Sequence, residues 1–586
     1  MKSRKKRMKK KQQQTLDKFR NFFLLFAMIL IFIVPLVVFY KQVEVPKAAE
    51  FLYGEGRQLA DFFTYYKAVI FQIGTLILFV GALFYRLLDN FNFKPDLFEK
   101  LLAGLALAVL ASLIFSEYKT VALTGYLDRY EGSLTWLSYI GLSYSIYTFV
   151  KDKTDAHKII GSLVASSGVI STIGFFQSRG LDFFRSDLGR KLILGSNYEK
   201  LKEVLVFKFA PDRVYSTLFN PNYVGSLVAI AFPLTMYLIL EIKNKALKVV
   251  LAIVAIMQVL TLAGSKSATG FAAISVGIAV FVLMQLIKTR FDKKRIFVVL
   301  AILLVVAIGI TQTSMFKNEF SKIKASLDNM NQEVYNTFDS VDYNHPRLTV
   351  MLENGKEIYF EPEGRDLLVF DSNNEAVNRV DGQDRYTFDF SEDKFNIKVI
   401  KDVKGAEVTV RATNTDNNVT RSMRFHQVFL DHFSLRYQKF TEENIQVDTV
   451  DWIKNETSFS GRGYIWNRSI PMILDKPILG YGADTFTINF PQIDLVGNAV
   501  AIGSQIVDKP HNFYINILIN FGFIGAIILL GLTVFILTKS YKNELSVAIV
   551  AFIVAGIAND SVLFCTYMIF VIFAVLAKIN IKKELS

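Results

Sequence analysis

The chain has 586 residues, 52% of them hydrophobic, a formal net charge of +13 and a single cysteine, Cys565. The apolar residues come in long runs, which excludes an ordinary soluble domain, and one cysteine excludes an intrachain disulfide framework or a cysteine-based zinc site. The basic residues lie mainly between the apolar runs, so the charge reads as membrane topology and not as a nucleic-acid surface.

The N-terminus, MKSRKKRMKKKQQQ, is basic and precedes an apolar run from Phe22 to Tyr40. That run is too long and too bulky for a signal-peptide core and is read as an uncleaved first membrane helix. Further runs fall at 67–88, 99–116, 134–150, 158–176, 222–241, 246–264, 268–287, 296–313, 512–538, 545–558 and 561–577. The sum is about twelve spans, each near the length that crosses the hydrocarbon. With the N-terminus inside, every predicted inner connection is basic, as at Lys151, Lys153 and Lys158 or at Lys288, Arg290, Lys293, Lys294 and Arg295. This bias places both termini in the cytoplasm.

Four outer segments stand out. The first, 117–133, carries Gly125, Arg129, Glu131 and Gly132. The second, 177–221, ends in Arg213 followed by an Asn220-Pro221-Asn222 turn, with Asn222 expected to cap the sixth span. The third is a short loop, Ala263 to Gly270, holding Lys266. The fourth is a long insertion, 314–459. It opens with a polar, helix-like piece, Phe316 to Val334. Alternating strands follow at Arg347–Leu352, Lys356–Phe360, Leu367–Phe370, Arg385–Phe390, Phe395–Ile400 and Ala406–Arg411. Asn354-Gly355 is a strong hairpin signal. A more helical return is expected from about 420 to 454. Its histidines, His345, His426 and His432, lack metal-ligand spacing. The expected domains are a nine-span region over 1–313, this mainly β extracytoplasmic insertion, and a C-terminal catalytic-loop and membrane region over 460–586.

The stretch from Ser460 to Leu530 carries the candidate chemistry. Arg462 and Arg468 lie in a segment whose apolar residues (Tyr464, Ile465, Ile470, Ile473, Leu474) have helical spacing. His511 follows Pro510 at the mouth of a long apolar run. Cations and a histidine at a helix mouth suit an anionic substrate at the membrane surface. Imidazole titrates near neutrality and can accept a proton, so His511 is the candidate base. Asp484 and Glu131 are acidic alternatives.

The motifs in this stretch are Gly461-Arg462-x-x-x-Trp466, the turn Pro477-x-x-Gly480-x-Gly482, and His511-Asn512 followed by Gly522-x-x-Gly525. In this order, late in a polytopic chain, they resemble the O-antigen ligase and polymerase family, the Wzy-C domain. Gly125-x-x-x-Arg129-x-x-Gly132 and Arg213 ahead of the Asn-Pro-Asn turn resemble the family as well. Lys266 stands where that family usually has arginine, and Ala268 where a glycine often follows; lysine keeps the charge but lacks the bidentate fork. The insertion is not part of the usual family core.

The resemblance implies an all-α polytopic fold of about twelve transmembrane helices, GT-C-like, carrying the β insertion. It implies transfer of a glycan from a polyprenyl diphosphate to an acceptor sugar at the outer face of the cell membrane. The implied partners are that donor, a glycan acceptor and the bilayer, with the insertion a candidate docking surface for other polysaccharide-assembly proteins and no role for nucleic acid. The chain has no Asp-x-Asp, so the expected reaction is metal-independent and needs no cofactor. His511 and Arg462 are the catalytic candidates, and Arg213, Lys266 and Arg468 the diphosphate-binding ones. The competing reading is a polysaccharide or lipid-linked oligosaccharide transporter, a flippase. A flippase should place ionisable groups near the bilayer midplane, whereas the charges of interest here cluster at one face. A mere anchor for the β insertion would not need so many spans.

Overall fold

A computed structural model describes residues 2–53, 56–88, 94–207, 209–210, 212–289, 321, 324–331, 337–363, 366–377, the strands between 380 and 439, 447–503 and 505–581. Among these residues, nine helices are long and apolar enough to cross a membrane. The chain is therefore a multi-pass membrane protein. The expected span at 296–313 lies outside the described residues.

The helices that frame the site are α1 (Lys2–Ile33), α2 (Tyr65–Leu88), α3 (Leu97–Phe115), α4 (Ser133–Phe149), α5 (Lys153–Gln177), α6 (Pro221–Glu241), α7 (Lys245–Ser265), α8 (Ala268–Thr289), α9 (Ser458–Asp475), α10 (Leu495–Ile502), α11 (Phe513–Ser540), α12 (Ser546–Ala555) and α13 (Leu563–Leu576). Side chains of α13 are buried throughout, and those of α4 and α6 nearly so. These three form the centre of the bundle. Ser143 of α4 reaches the carbonyl of Phe570 in α13, so the hydroxyls of α4 are satisfied by protein and not exposed to lipid. Apolar residues such as Ile73, Leu76, Leu107, Val249, Ile253, Ile527 and Leu530 are exposed on outer helices, as lipid-facing positions should be.

Ion pairs tie the helix ends at one face: Arg20 to Asp155 at 2.5 Å, Arg86 to Glu99, and Lys153 to Glu241 at 2.7 Å. The opposite face gathers the starts of α4, α6 and α11 with the α12–α13 connection. Asn220, not Asn222, caps α6: its side chain accepts from the Asn222 N–H at 2.9 Å, with Pro221 in the first turn. The cap shifts because Pro221 has no N–H to satisfy and its fixed φ suits the first helical position.

β1 (Lys41–Glu44) and β2 (Gln58–Asp61) pair antiparallel as a hairpin that the apolar pattern did not signal. In the insertion, β3 (Phe338–Asn344), β4 (Arg347–Leu352), β5 (Glu357–Glu363) and β6 (Asp366–Phe370) make one antiparallel sheet. A second sheet runs in order from β13 (Gln438–Lys439) through β12 (His432–Leu435), β11 (Thr420–Val428), β10 (Glu407–Asn414), β9 (Phe395–Asp402) and β8 (Arg385–Glu392) to β7 (Val380–Gly382). The alternation in β4 buries Leu348, Val350 and Leu352 against the second sheet's Val408, Val410 and Met423. The helical return expected over 420–454 is corrected where the strands Thr420–Val428, His432–Leu435 and Gln438–Lys439 continue the sheet. Polar residues such as Thr420, Arg421 and Arg424 hid the alternation, and pairing to β10 decided it. Leu495 and Ala499 of α10 enter this same core, so the boundary at 460 is not a clean break in packing.

Candidate functional site

Glycines build the frame. Within α11 the helix breaks at Gly522, where φ is 60°. The Pro477–Gly482 turn fits into that break: Tyr481 N–H donates to Ile519 O at 2.7 Å, and Phe523 N–H to Pro477 O at 2.7 Å. A Cβ on Gly480 would lie 2.4 Å from Ile519 O, and one on Gly522 would lie 2.3 Å from Ile478 O. Two glycine motifs distant in sequence are thus one interlock. The 125–132 loop closes around Asp484 in the same manner. Gly125 and Gly132 pinch its base, and Asp484 Oδ2 accepts from the N–H groups of Tyr126 (2.6 Å) and Glu131 (3.2 Å). Arg129 adds an ion pair to Asp484 at 2.8 Å and donates to the carbonyl of Asp508.

The chain then runs Asp508-Lys509-Pro510-His511 into α11. Asn512 caps this helix by accepting from Tyr514 and Ile515. His511 itself has φ of 52° and lies just before the cap. Its Nδ1 stands 3.2 Å from Oδ2 of Asp560, in the α12–α13 connection. Asp560 Oδ1 accepts from the Asn512 N–H at 3.2 Å, which locks the carboxylate against the helix start. Helix α9 holds both sides of this pair. Arg462 donates to Phe459 O at 2.9 Å and to Ala558 O at 3.1 Å. One turn on, Trp466 Nε1 donates to Pro510 O at 2.8 Å. The four-residue spacing of Arg462 and Trp466 places them on one helix face. That spacing lets one helix position both the 558–560 connection and the residue before His511.

Lys509 is buried and bonded to the Tyr223 hydroxyl of α6, with Asp508 at 3.5 Å. Ser226 of the same helix accepts from Asn559 at 2.6 Å. Burial opposes ionisation of Asp508 and Asp560, but nearby cations outweigh it and hold both carboxyls below their ordinary range. Lys509 and Arg129 lead for Asp508; for Asp560 the hydrogen bond from His511 leads and Lys509 supplies the cation. Burial raises the Asp484 carboxyl despite Arg129, and pushes Glu131 up to about 7. Asp508 keeps 48% of its side-chain surface open and His511 34%, while Lys509 and Arg129 beside them are buried.

Strain concentrates here. Ten non-glycine residues among those described have positive φ, and nine of them lie at this face, including Asp484, His511, Lys266, Phe459 and Ser460. Such conformations cost about 1–3 kcal/mol each and persist where surrounding contacts impose them.

The sequence-predicted residues separate into three places. His511 and Arg462 meet at the 558–560 connection. Lys266 belongs to a second place, 3.9 Å from Asp212, the residue before Arg213. Ser267 packs against Gly225 in the first turn of α6, the helix that also holds Lys509 and Asn559. Arg468 is not with either group. It is buried, pairs with Glu456 at 2.6 Å and with Asp494, and lies 3.9 Å over the Tyr464 ring. Both carboxylates neutralise it, so it joins α9 to the start of α10. Sequence reading missed Asp508, Lys509, Tyr223 and Asp560. The signal for Asp560 was available, since Asn559-Asp560 is a polar pair between two apolar runs. Among the described residues no three His, Cys, Asp or Glu side chains converge as metal ligands.

A cluster of cations with a histidine–carboxylate pair, at one end of a helical bundle, defines a membrane protein with a polar site at the helix mouths. Residues 417–530 match the family model Wzy_C, described as O-Antigen ligase. The match runs from the last strands of the insertion through the first half of α11 and contains Arg462, Trp466, the Pro477–Gly482 turn and His511. This stretch of the chain is thus O-antigen ligase-like, and it supports a ligase- or polymerase-like role in surface glycan assembly. No curated protein matches the chain.

Proposed function

We propose that the protein transfers a glycan from a polyprenyl diphosphate to an acceptor sugar hydroxyl at the outer face of the cell membrane. The observation that carries this reading is the contact of His511 with Asp560 beside Arg462. A carboxylate at Nδ1 favours the tautomer that leaves Nε2 as the acceptor nitrogen. The acceptor O–H then gives its proton to His511 while its oxygen bonds the anomeric carbon. The bond from that carbon to the diphosphate oxygen breaks, and the diphosphate leaves with the electron pair. Among the described residues Arg462 donates to the carbonyls of Phe459 and Ala558 and forms no ion pair, so in this reading its charge stabilises the leaving group. Arg213 and Lys266 serve as further diphosphate ligands. Arg468, assigned that role from sequence, is here given a structural one. In this reading the reaction needs no metal, the 314–459 insertion is an extracytoplasmic unit for acceptors or assembly partners, and both termini are cytoplasmic.

The test is transfer by purified protein, in EDTA, from a defined polyprenyl-diphosphate glycan, with products sized on a gel. Longer or newly attached glycan is expected, and Arg462→Ala and His511→Ala should each abolish it at normal membrane abundance. Removing one electrostatic donor costs about 100- to 1000-fold in rate. Movement of the lipid-linked glycan across vesicles without any transfer product would instead establish the flippase reading.

A further inference from the structure

The chain has three tryptophans. Trp136 and Trp466 are buried, whereas Trp452 leaves 53% of its surface open. One exposed apolar side chain is ordinary, but this one is displayed on an anchored backbone. The Val450 N–H donates to the Asn467 carbonyl of α9 at 3.1 Å. The buried Asn467 side chain accepts from the Ile453 N–H at 3.1 Å and donates to the Ile453 carbonyl at 2.9 Å. The turn is thus tied to α9 on both sides of Trp452. Little backbone freedom is left to lose when a ligand covers the indole.

The indole adjoins the site. Its ring centroid lies 5.9 Å from that of Trp466, and Phe459 stacks on Trp466 at 6.0 Å. Trp466 donates to the carbonyl of Pro510, the residue before His511, and Phe459 supplies a carbonyl that Arg462 holds. Three rings therefore connect the backbone around Arg462 and His511 to an open indole face. Asp451 and Lys454 near that face are exposed and opposite in charge. A pyranose ring carries C–H groups on its faces and hydroxyls on its edges. Its C–H groups pack on an aromatic face while its hydroxyls turn to polar neighbours. A hydrocarbon chain would use the indole alone, and a charged sugar would be opposed by one of the two flanking charges. A neutral sugar uses all three.

We propose that Trp452 is a stacking platform for a neutral sugar ring of the acceptor glycan, set back from the hydroxyl that reaches His511. The proposal rests on the transfer reaction proposed above. In that reaction the donor is held by its diphosphate and its lipid, whereas the acceptor has one hydroxyl at the reacting centre and needs a second hold. The test reads binding apart from transfer. Full-length protein in lipid nanodiscs is titrated with lipid-free oligosaccharide released from the surface polysaccharide of the cells that make it. Saturable protection of tryptophan emission from acrylamide is expected, because Trp452 is the exposed one of the three. By calorimetry the same oligosaccharide should bind Trp452→Ala about 10- to 30-fold more weakly, the loss of one well-packed tryptophan, and Trp452→Phe should recover most of that. In the transfer assay Trp452→Ala should raise the acceptor KM by the same factor, with kcat and the donor KM unchanged. Should Trp452→Ala fold poorly, Trp452→Leu keeps bulk without an aromatic face and carries the same expectation. Three results would overturn the assignment: no protection, a raised donor KM with the acceptor KM unchanged, or quenching of Trp452 by brominated acyl chains, which would place the indole in the bilayer. Binding lost in Trp452→Ala, in a protein that performs no transfer, would leave the platform standing and remove the enzymatic reading. Transfer with unaltered acceptor KM in a folded Trp452→Ala protein would do the reverse.

Discussion

Asp560→Asn is the sharpest perturbation of the proposed site. Asparagine has nearly the same shape, and its carbonyl can still accept from the Asn512 N–H at 3.2 Å. What it removes is the negative charge 3.2 Å from Nδ1 of His511. Without that charge the ring is no longer held in the tautomer that presents a basic Nε2. A well-placed general base is worth about 100- to 10,000-fold, or roughly 2.7–5.5 kcal/mol of barrier at about 1.36 kcal/mol per tenfold. Asp560→Asn should therefore lower the transfer rate by about 100-fold or more. The assay is initial-rate transfer from the defined donor, normalised to protein in the membrane and checked by a melt in detergent. The double variant Asp560→Asn/His511→Ala should be no slower than His511→Ala alone, because residues acting as a unit are not additive. Turnover within threefold of the parent, in a folded Asp560→Asn protein, would refute the dyad.

Three further outcomes follow from the same structure. Arg468→Ala should reduce membrane abundance more than turnover per molecule, because it strands Glu456 and Asp494 beside a buried gap; breaking such a pair costs about 3–5 kcal/mol, and a pulse-chase with the transfer assay separates the two effects. Burial holds Glu131 protonated up to about 7, against 4.5 ordinarily, so its contribution to stability is complete below 4.5 and is lost as pH rises through 7. Glu131→Gln should flatten that decline in melts taken from pH 4.5 to 8, and an unchanged slope would contradict the burial argument. In a Cys565→Ser background, a cysteine at Asn373 should react with an impermeant thiol reagent on intact cells and one at Lys2 should not; the opposite pattern would reverse the membrane orientation.

The sequence determined the class of molecule and most of its segments. Length of apolar run is a local property, so α2, α6, α7 and α11 were legible from it. Period-two alternation is local too, and β4 runs over the residues the pattern predicted, Arg347–Leu352. The motifs around Arg462 and His511 were legible because spacing along a helix fixes which side chains share a face.

Tertiary structure alone decided what each charge does. Arg462 and Arg468 are six residues apart on one helix and indistinguishable by composition. One meets the carbonyls of Phe459 and Ala558, while the other is enclosed by Glu456 and Asp494. Likewise Asp560 reaches His511 only because α12 and α13 return the chain to the mouth of α11, and Tyr223 meets Lys509 from 286 positions away. A charge's role depends on its partners within a few ångströms, and burial magnifies that dependence by removing water's screening. Those partners come from chain segments far apart in sequence, so no local pattern encodes them.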